Sequence, residues 1–270
     1  MNRPTSTLWL VTITHDLQLA HELADAADEL TLARFRAQDL AITTKPDLTP
    51  VSDADLAVET LLRHRLTGAR PADAVLGEEH GVTGDGPRQW IIDPIDGTKN
   101  YVRGVPVWAT LIALRVEGRV DVGVVSAPAL GLRWWAARGT GAYAGRSQAD
   151  QRQLQVSRVT DLADASLSYS SLTGWQQQGR LDGLIELSQK VWRTRAFGDF
   201  WSHMLVAEGA VDASCEPEVS LWDLAPLQVI VEEAGGRFTD LSGAATAEGG
   251  SVVCSNGPLH EEILAGLRAR

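Results

Sequence analysis

The sequence predicts an α+β fold built in layers. Three observations carry that expectation. An uninterrupted helical periodicity occupies the N-terminal region, a run of Val-, Leu-, Ile- and Trp-rich segments spans residues 107–138, and short apolar segments alternate with helical ones beyond about residue 150. Antiparallel strands followed by alternating elements imply a layered α/β/α arrangement rather than a barrel. At 270 residues the chain is long enough for a sizeable core, as one large domain or as two intimately packed halves.

Taken in order, residues 1–14 read as a loose N-terminal extension. The apolar stretch 8–13 is too short for a signal peptide, and no small-residue cleavage site follows it. Residues 15–37 carry Leu17, Ala20, Leu23, Ala24, Ala27 and Leu30 at helical spacing without Pro or Gly, which predicts the first long helix. A loop over 43–51 contains Lys45-Pro46-Asp47 and Thr49-Pro50. Ser52 or Asp53 can cap a second helix reaching about residue 67. Strands are expected at 74–76 and 88–92, then at 108–116, 120–126 and 132–138, the last three separated by turn residues and reading as a meander. The polar stretch 144–153 divides an N-terminal α+β half, 15–145, from a C-terminal α/β half, 146–270. The second half alternates strands at 166–170, 212–215 and 251–254 with helices at 181–190, 199–208, 222–233 and from 258 onward.

Composition narrows the partners. A formal net charge of −11 disfavours nucleic acid and anionic membranes, and no stretch approaches the ~20 apolar residues of a membrane span. Two cysteines, Cys215 and Cys254, have no metal-binding spacing and suggest a reducing, cytoplasmic setting. With 44% hydrophobic and 22% charged residues the chain is globular.

The most informative run is Trp90-Ile91-Ile92-Asp93-Pro94-Ile95-Asp96-Gly97-Thr98-Lys99-Asn100-Tyr101. Pro94 supplies no backbone donor and biases Asp93 toward an extended conformation, so the strand is expected to stop at Asp93 and the chain to turn. Asp93 and Asp96 can then face one pocket. Gly97 allows a backbone conformation closed to other residues, and Thr98 brings a hydroxyl and N–H groups to a helix start, where anions bind. Carboxylates beside an anion seat conflict unless a cation lies between them, and hard oxygen ligands of this kind suit Mg²⁺. The plainer alternative is that both Asp residues only shape a turn. Glu78 and Glu79, in Gly77-Glu78-Glu79-His80-Gly81, also sit at a strand end, and Asp223 of Trp222-Asp223 opens an apolar helix. His80 and His203 lack paired spacing and read as structural or surface residues.

On the Gly77-Glu78-Glu79, Asp93-Pro94-Ile95-Asp96-Gly97-Thr98 and Trp222-Asp223 motifs, in that order, the chain resembles the inositol monophosphatase superfamily of Mg²⁺-dependent sugar phosphatases, from about His15 to its C-terminus. The resemblance implies the layered α/β/α/β/α sugar-phosphatase fold, a homodimer, and two to three Mg²⁺ per site. It implies that Glu78, Asp93 and the Ile95 carbonyl hold one ion, that Asp93, Asp96 and Asp223 hold a second, and that Glu78 faces a third. Gly97 and Thr98 would present N–H groups to the phosphate. The Thr98 hydroxyl, paired with Asp53, would orient the attacking water, giving Glu78, Asp53 and Thr98 catalytic roles. Lys45 and Asp47 would belong to a loop over the site.

Metal ions offset the repulsion between a phosphate monoester and hydroxide, and no nucleophilic Ser or Cys motif is apparent, so direct attack by water is expected. For the leaving group, Gly198-Asp199-Phe200, Asn100-Tyr101-Val102-Arg103-Gly104 and Trp134-Trp135-Ala136-Ala137-Arg138 resemble the histidinol-phosphate phosphatase branch. Asp199 and Glu216, with Asp223, would contact a cationic leaving group. Asp199 as a simple helix cap is the alternative. Inositol monophosphate, fructose 1,6-bisphosphate and 3′-phosphoadenosine phosphate are the competing small-molecule esters. A catalytically silent, metal-binding regulatory protein is the competing class.

Overall fold

The computed structural model describes residues 7–46 and 48–268. In chain order the elements are α1 (Thr7–Arg34), β1 (Ile42–Thr44), β2 (Pro50–Ser52), α2 (Asp53–Ala69), β3 (Ala74–Gly77), β4 (Gly81–Thr83), β5 (Arg88–Asp96), α3 (Thr98–Val102), β6 (Ala109–Val116), β7 (Arg119–Ala127), β8 (Leu132–Ala137), β9 (Ala142–Gly145) and β10 (Arg152–Gln153). There follow β11 (Ser166–Tyr169), α4 (Leu172–Gln177), α5 (Leu181–Ser188), β12 (Arg193–Arg195), α6 (Asp199–Ala207), β13 (Ala213–Glu216), α7 (Leu221–Glu233), β14 (Arg237–Thr239), β15 (Val252–Ser255) and α8 (His260–Gly266).

Eight strands form one sheet in the order β10-β9-β8-β7-β6-β5-β3-β4, and five form another in the order β12-β11-β13-β15-β14. In the first sheet only the β3–β5 pairing is parallel; β5 through β10 is a meander. Side-chain alternation along its strands feeds two cores. Trp90, Ile92, Ile112, Leu114, Val122, Val124 and Trp135 pack under α1 and α2. Ile91, Leu111, Ala113, Val125 and Trp134 face the opposite way, onto α6 and α7. Trp134 and Trp135 are neighbours in sequence that lie in different cores. A third core, including Leu167, Ala213, Cys215 and Val253, lies between the second sheet and α4, α5 and α8. With α6 and α7 against both sheets, the order is helices, sheet, helices, sheet, helices. The expected α/β/α/β/α layering is the observed one.

Three local expectations need correction. Residues 7–14 are not a loose extension: they form the first turns of α1, which ends at Arg34 before the left-handed Arg36 (φ 63°). Residues 1–6 and Asp47 lie outside the described residues. The strand carrying Asp93 does not stop there. β5 continues through a register shift between Asp93 and Asp96, and Asp96 is again paired, with Ala109. This bulge absorbs Pro94, whose carbonyl accepts a 2.8 Å hydrogen bond from Thr110 Oγ1. The first sheet also passes the expected boundary at residue 145, ending with β10 at Gln153.

α7 rests on β7 at Gly123, where an added Cβ would lie 2.6 Å from the Pro226 carbonyl and 2.7 Å from Val229 Cγ1. Gly123→Ala should therefore cost roughly 1–3 kcal/mol through overpacking, seen as a lower urea midpoint. Gly68→Ala, in α2 with open space around the new methyl, should raise the midpoint instead.

Candidate active site

The bulge in β5 brings its two acidic residues together. In a regular strand, residues three apart face opposite sides; here Asp93 and Asp96 converge with Asp223, one carboxylate oxygen of each lying within 4.8 Å of the others. Each is anchored by backbone. Asp93 Oδ1 accepts from Ile95 N (2.9 Å), Asp96 Oδ2 from Phe200 N at the start of α6 (2.8 Å), and Asp223 Oδ2 from Ser220 N at the start of α7 (2.9 Å). Asp93 is fully buried and Asp96 nearly so.

Burial, then the charges of Glu78, Asp96 and Asp223, push the Asp93 carboxyl well up. Burial, then Asp199 and Asp223, do the same to Asp96. Burial raises Asp223 to about 7, against hydrogen bonds from Ser220 and with Asp93. No basic side chain is hydrogen-bonded to this trio among the described residues. Three carboxylates so placed need protons or a cation between them, and oxygen-only donors fit a hard divalent ion.

Glu78 lines the same cleft, of about 330 Å³, with Ile95, Gly97, Thr98, Asp199 and Glu218. It stands outside the trio because Lys45, from the β1–β2 hairpin, bridges Glu78 Oε1 and Glu79 Oε1, both at 2.7 Å. Burial opposes the Lys45 charge, and the two glutamates outweigh it, raising its pKa. Beneath them, Glu59 takes the N–H groups of Glu79 (2.7 Å) and His80 (3.1 Å) and the Arg63 Nε (2.7 Å). Gly77 leaves room for it: a Cβ there would lie 2.0 Å from Glu59 Oε1. Glu59 was not singled out in the sequence; a glutamate on the apolar face of α2 was the available signal.

Gly97 adopts a left-handed conformation (φ 80°) and caps α3, with Val107 O 3.0 Å and Asp199 Oδ2 3.1 Å from where a Cβ would be. Thr98 Oγ1 lies 2.9 Å from the Ile95 carbonyl and 3.4 Å from Asp55 Oδ1. The expected partner, Asp53, is elsewhere: its Oδ2 accepts from Arg34 at 2.7 Å. Ser52, not Asp53, caps α2, which puts Asp53 in the first helical position, half-buried with its Oδ1 out of contact with solvent, and Asp55 at the third, facing in. Asp55 is fully buried and holds Ser52 N at 2.9 Å.

On the leaving-group side, Asp199 is a non-glycine residue with positive φ (46°). Its Oδ2 accepts from Asn100 Nδ2 at 3.3 Å. Burial, then Glu216, raise it to about 6 against Lys99 and His203. Glu216 is committed elsewhere by one oxygen: Oε1 is 2.8 Å from His203 Nε2. His203 is buried, in keeping with a structural role. Trp175 is buried in the third core, away from the cleft.

A layered α/β/α/β/α fold, a bulged strand with two carboxylates and a third on a helix start define a metal-dependent phosphatase. The chain belongs to the inositol monophosphatase family, whose model matches residues 13–270. Among curated relatives, a histidinol-phosphatase of Streptomyces coelicolor is 60% identical over 94% of this chain and 97% of its own length. A histidinol-phosphatase of Mycobacterium tuberculosis is likewise 60% identical, over 94% and 98%. An inositol-1-monophosphatase of Caulobacter vibrioides is 35% identical over 86% of this chain and 92% of its own. Among solved structures, the extragenic suppressor protein SuhB of Bartonella henselae superposes with a TM-score of 0.86 at 27% identity, covering 94% of this chain and 98% of that one. Among the described residues no helix is long and apolar enough to cross a membrane.

Carboxyls that hold protons near neutrality must release them to take a divalent cation. The sign follows from the raised pKa values: as pH falls through about 7 for Asp223, protons compete for the site. Titration calorimetry with Mg²⁺ in buffers of different ionisation enthalpy should show proton release and an apparent affinity that rises with pH between 6 and 8.

Proposed function

We propose that this enzyme hydrolyses histidinol phosphate to histidinol and inorganic phosphate with Mg²⁺, as a step of histidine synthesis. The observation that carries this reading is Asp199: a largely buried carboxylate lining the metal cleft, whose side chain has no basic hydrogen-bond partner among the described residues. A cationic leaving group supplies that partner, whereas inositol offers only hydroxyls. The 60% identity to two histidinol-phosphatases supports the same substrate.

Asp93, Asp96 and Asp223 would hold one ion, and Glu78, Asp93 and the Ile95 carbonyl a second, with Glu78 facing a third. When bound, the metal activates water for attack on phosphorus and offsets the charge that develops on the leaving oxygen. The chain supplies the geometry. Gly97 and Thr98 offer N–H groups of the first turn of α3, which have no partner inside the helix, to the phosphate oxygens. Asp55 and the Ile95 carbonyl hold the Thr98 hydroxyl where it can orient the water, the task the sequence had given to Asp53. Asp96, fixed by Phe200 N, ties the metal site to the helix that begins with Asp199. In this reading 15–145 supplies most of the metal site and 146–270 the leaving-group side.

The reading extends to a cytoplasmic homodimer. Two buried free cysteines and a 68% exposed Trp192 beside edge strand β12 are in keeping with it. Light scattering coupled to gel filtration checks the dimer.

Phosphate release from histidinol phosphate, inositol monophosphate, fructose 1,6-bisphosphate and 3′-phosphoadenosine phosphate should favour the first by at least tenfold in kcat/KM and vanish with EDTA. A preference for inositol monophosphate defeats the substrate assignment. In the same assay Asp93→Asn should lower kcat by a factor on the order of 10³ or more, with an unchanged circular dichroism spectrum.

Asp55 and Asp53 separate cleanly. Asp55→Asn should lower kcat about 10²-fold, the scale on which a positioned proton acceptor acts, whereas Asp53→Asn should leave kcat within about twofold and lower the urea midpoint only slightly, through the partly exposed Arg34 ion pair.

A further inference from the structure

A side cavity of about 130 Å³ opens off the metal cleft; Asp96, Asp199, Glu218 and Asp223 line both. Its remaining wall combines apolar side chains, Phe200 and Leu227 among them, with Glu216 and His203. We propose that Glu218 is a specificity-determining residue that, with Asp199, binds the two basic groups of a cationic leaving group, while one oxygen of Glu216 is held by His203. The proposal rests on the histidinol phosphate reading and extends it to a residue that no sequence motif marks.

The assignment follows from which carboxylates already have a partner. Asp96 and Asp223 belong to the metal trio. Glu216 already has a basic partner through one oxygen: His203 Nε2 is 2.8 Å from Glu216 Oε1, and the His203 Nδ1 is 3.2 Å from the buried Cys254 Sγ. Burial alone would strip the proton from this imidazole, but Cys254 and Glu216 outweigh it and raise His203 to about 10. Glu216 Oε1 is thereby taken up by His203.

Two carboxylates remain. Asp199 accepts the 3.3 Å contact from the Asn100 amide and lies in the field of Lys99, which lines the same cleft. Glu218 is exposed on the segment joining β13 to α7, and its hydrogen bond is a long one, 3.5 Å, from the Gln178 amide. Neither is hydrogen-bonded to a basic side chain among the described residues. Histidinol also carries two basic groups: an ammonium two carbons from the ester oxygen and an imidazole further out. Asp199, beside Gly97 at the phosphate end of the cleft, is placed for the ammonium. Glu218, on the rim shared by both cavities, is placed for the ring, whose carbon edges can rest on Phe200 and Leu227.

The test uses the full chain with Mg²⁺ and two substrates, histidinol phosphate and inositol monophosphate, the second having an uncharged leaving group. Glu218→Gln keeps shape and removes charge. It should raise KM for histidinol phosphate about tenfold, the order expected for one lost charge-assisted hydrogen bond, with kcat within about twofold, and so lower the histidinol-to-inositol ratio of kcat/KM about tenfold. Glu216→Gln should change both substrates alike and leave that ratio within about twofold. Equal effects of Glu218→Gln on both esters, no effect on either, or a selective loss confined to Glu216→Gln would each overturn the proposal while leaving the substrate reading intact. A wild-type enzyme that fails to turn over histidinol phosphate would overturn the substrate reading itself, and this proposal with it.

Discussion

Repulsion between buried carboxylates is the constraint on which the rest of the structure depends. With oxygens of Asp93, Asp96 and Asp223 within 4.8 Å of one another, each fully ionised pair would cost about 3–4 kcal/mol at the effective dielectric of a protein site. That is a large fraction of the stability of a domain. The chain holds them together nonetheless. One pair rides on a strand in the interior of an eight-stranded sheet, and the third begins a helix wedged between two sheets. Backbone N–H groups fix one oxygen of each and leave the other lone pairs turned inward. The result is a site whose lowest-energy state requires a positive charge: protons without metal, a divalent ion with it.

Around that demand, side chains sort by whether their charge is already answered. Lys45 answers Glu78 and Glu79, Arg34 answers Asp53, and His203 answers Glu216. Asp199 and Glu218 line the cleft without a basic hydrogen-bond partner among the described residues, Asp199 in the field of Lys99 and His203. On the proposed reading, a phosphate ester with a cationic alcohol is complementary to this distribution at both ends, the anion toward the metal site and the cation toward Asp199 and Glu218. An inositol ester is complementary at one end only.

Much of this was legible in the sequence because strand-to-helix transitions are marked by residues with few alternatives. Gly97 is needed where φ is positive, Pro94 interrupts a ladder, and the apolar run before Asp93 must be a buried strand. The meander over 109–137 and the helix starts at Asp199 and Leu221 were within a residue or two of expectation. Illegible were the features decided by a one-residue shift or by long-range pairing. Whether Ser52 or Asp53 caps α2 rotates the helix surface by about 100° per residue, and so decides whether Asp53 or Asp55 meets Thr98. The bulge that lets β5 continue past Pro94 depends on a partner, Ala109, that the local sequence does not name. The Glu216–His203–Cys254 chain links three elements far apart in sequence, and Glu218 sits in no motif. Short elements such as β1, β4 and β12, of three residues each, fall below what periodicity resolves.

β5 serves two cores with its first half and the metal site with its second. Fraying, the ordinary way for a crowded region to relax, begins at termini and edges and is least available to the middle of a sheet. The β3 ladder ends at Ile92, and beyond it Asp93 and Asp96 are paired with Leu111 and Ala109 of β6 while Phe200 N of α6 holds Asp96, so separating them means opening the β6 ladder at the bulge and detaching the start of α6. The three carboxylates stand together on the backbone alone, so loading the site calls first for an exchange of protons for an ion.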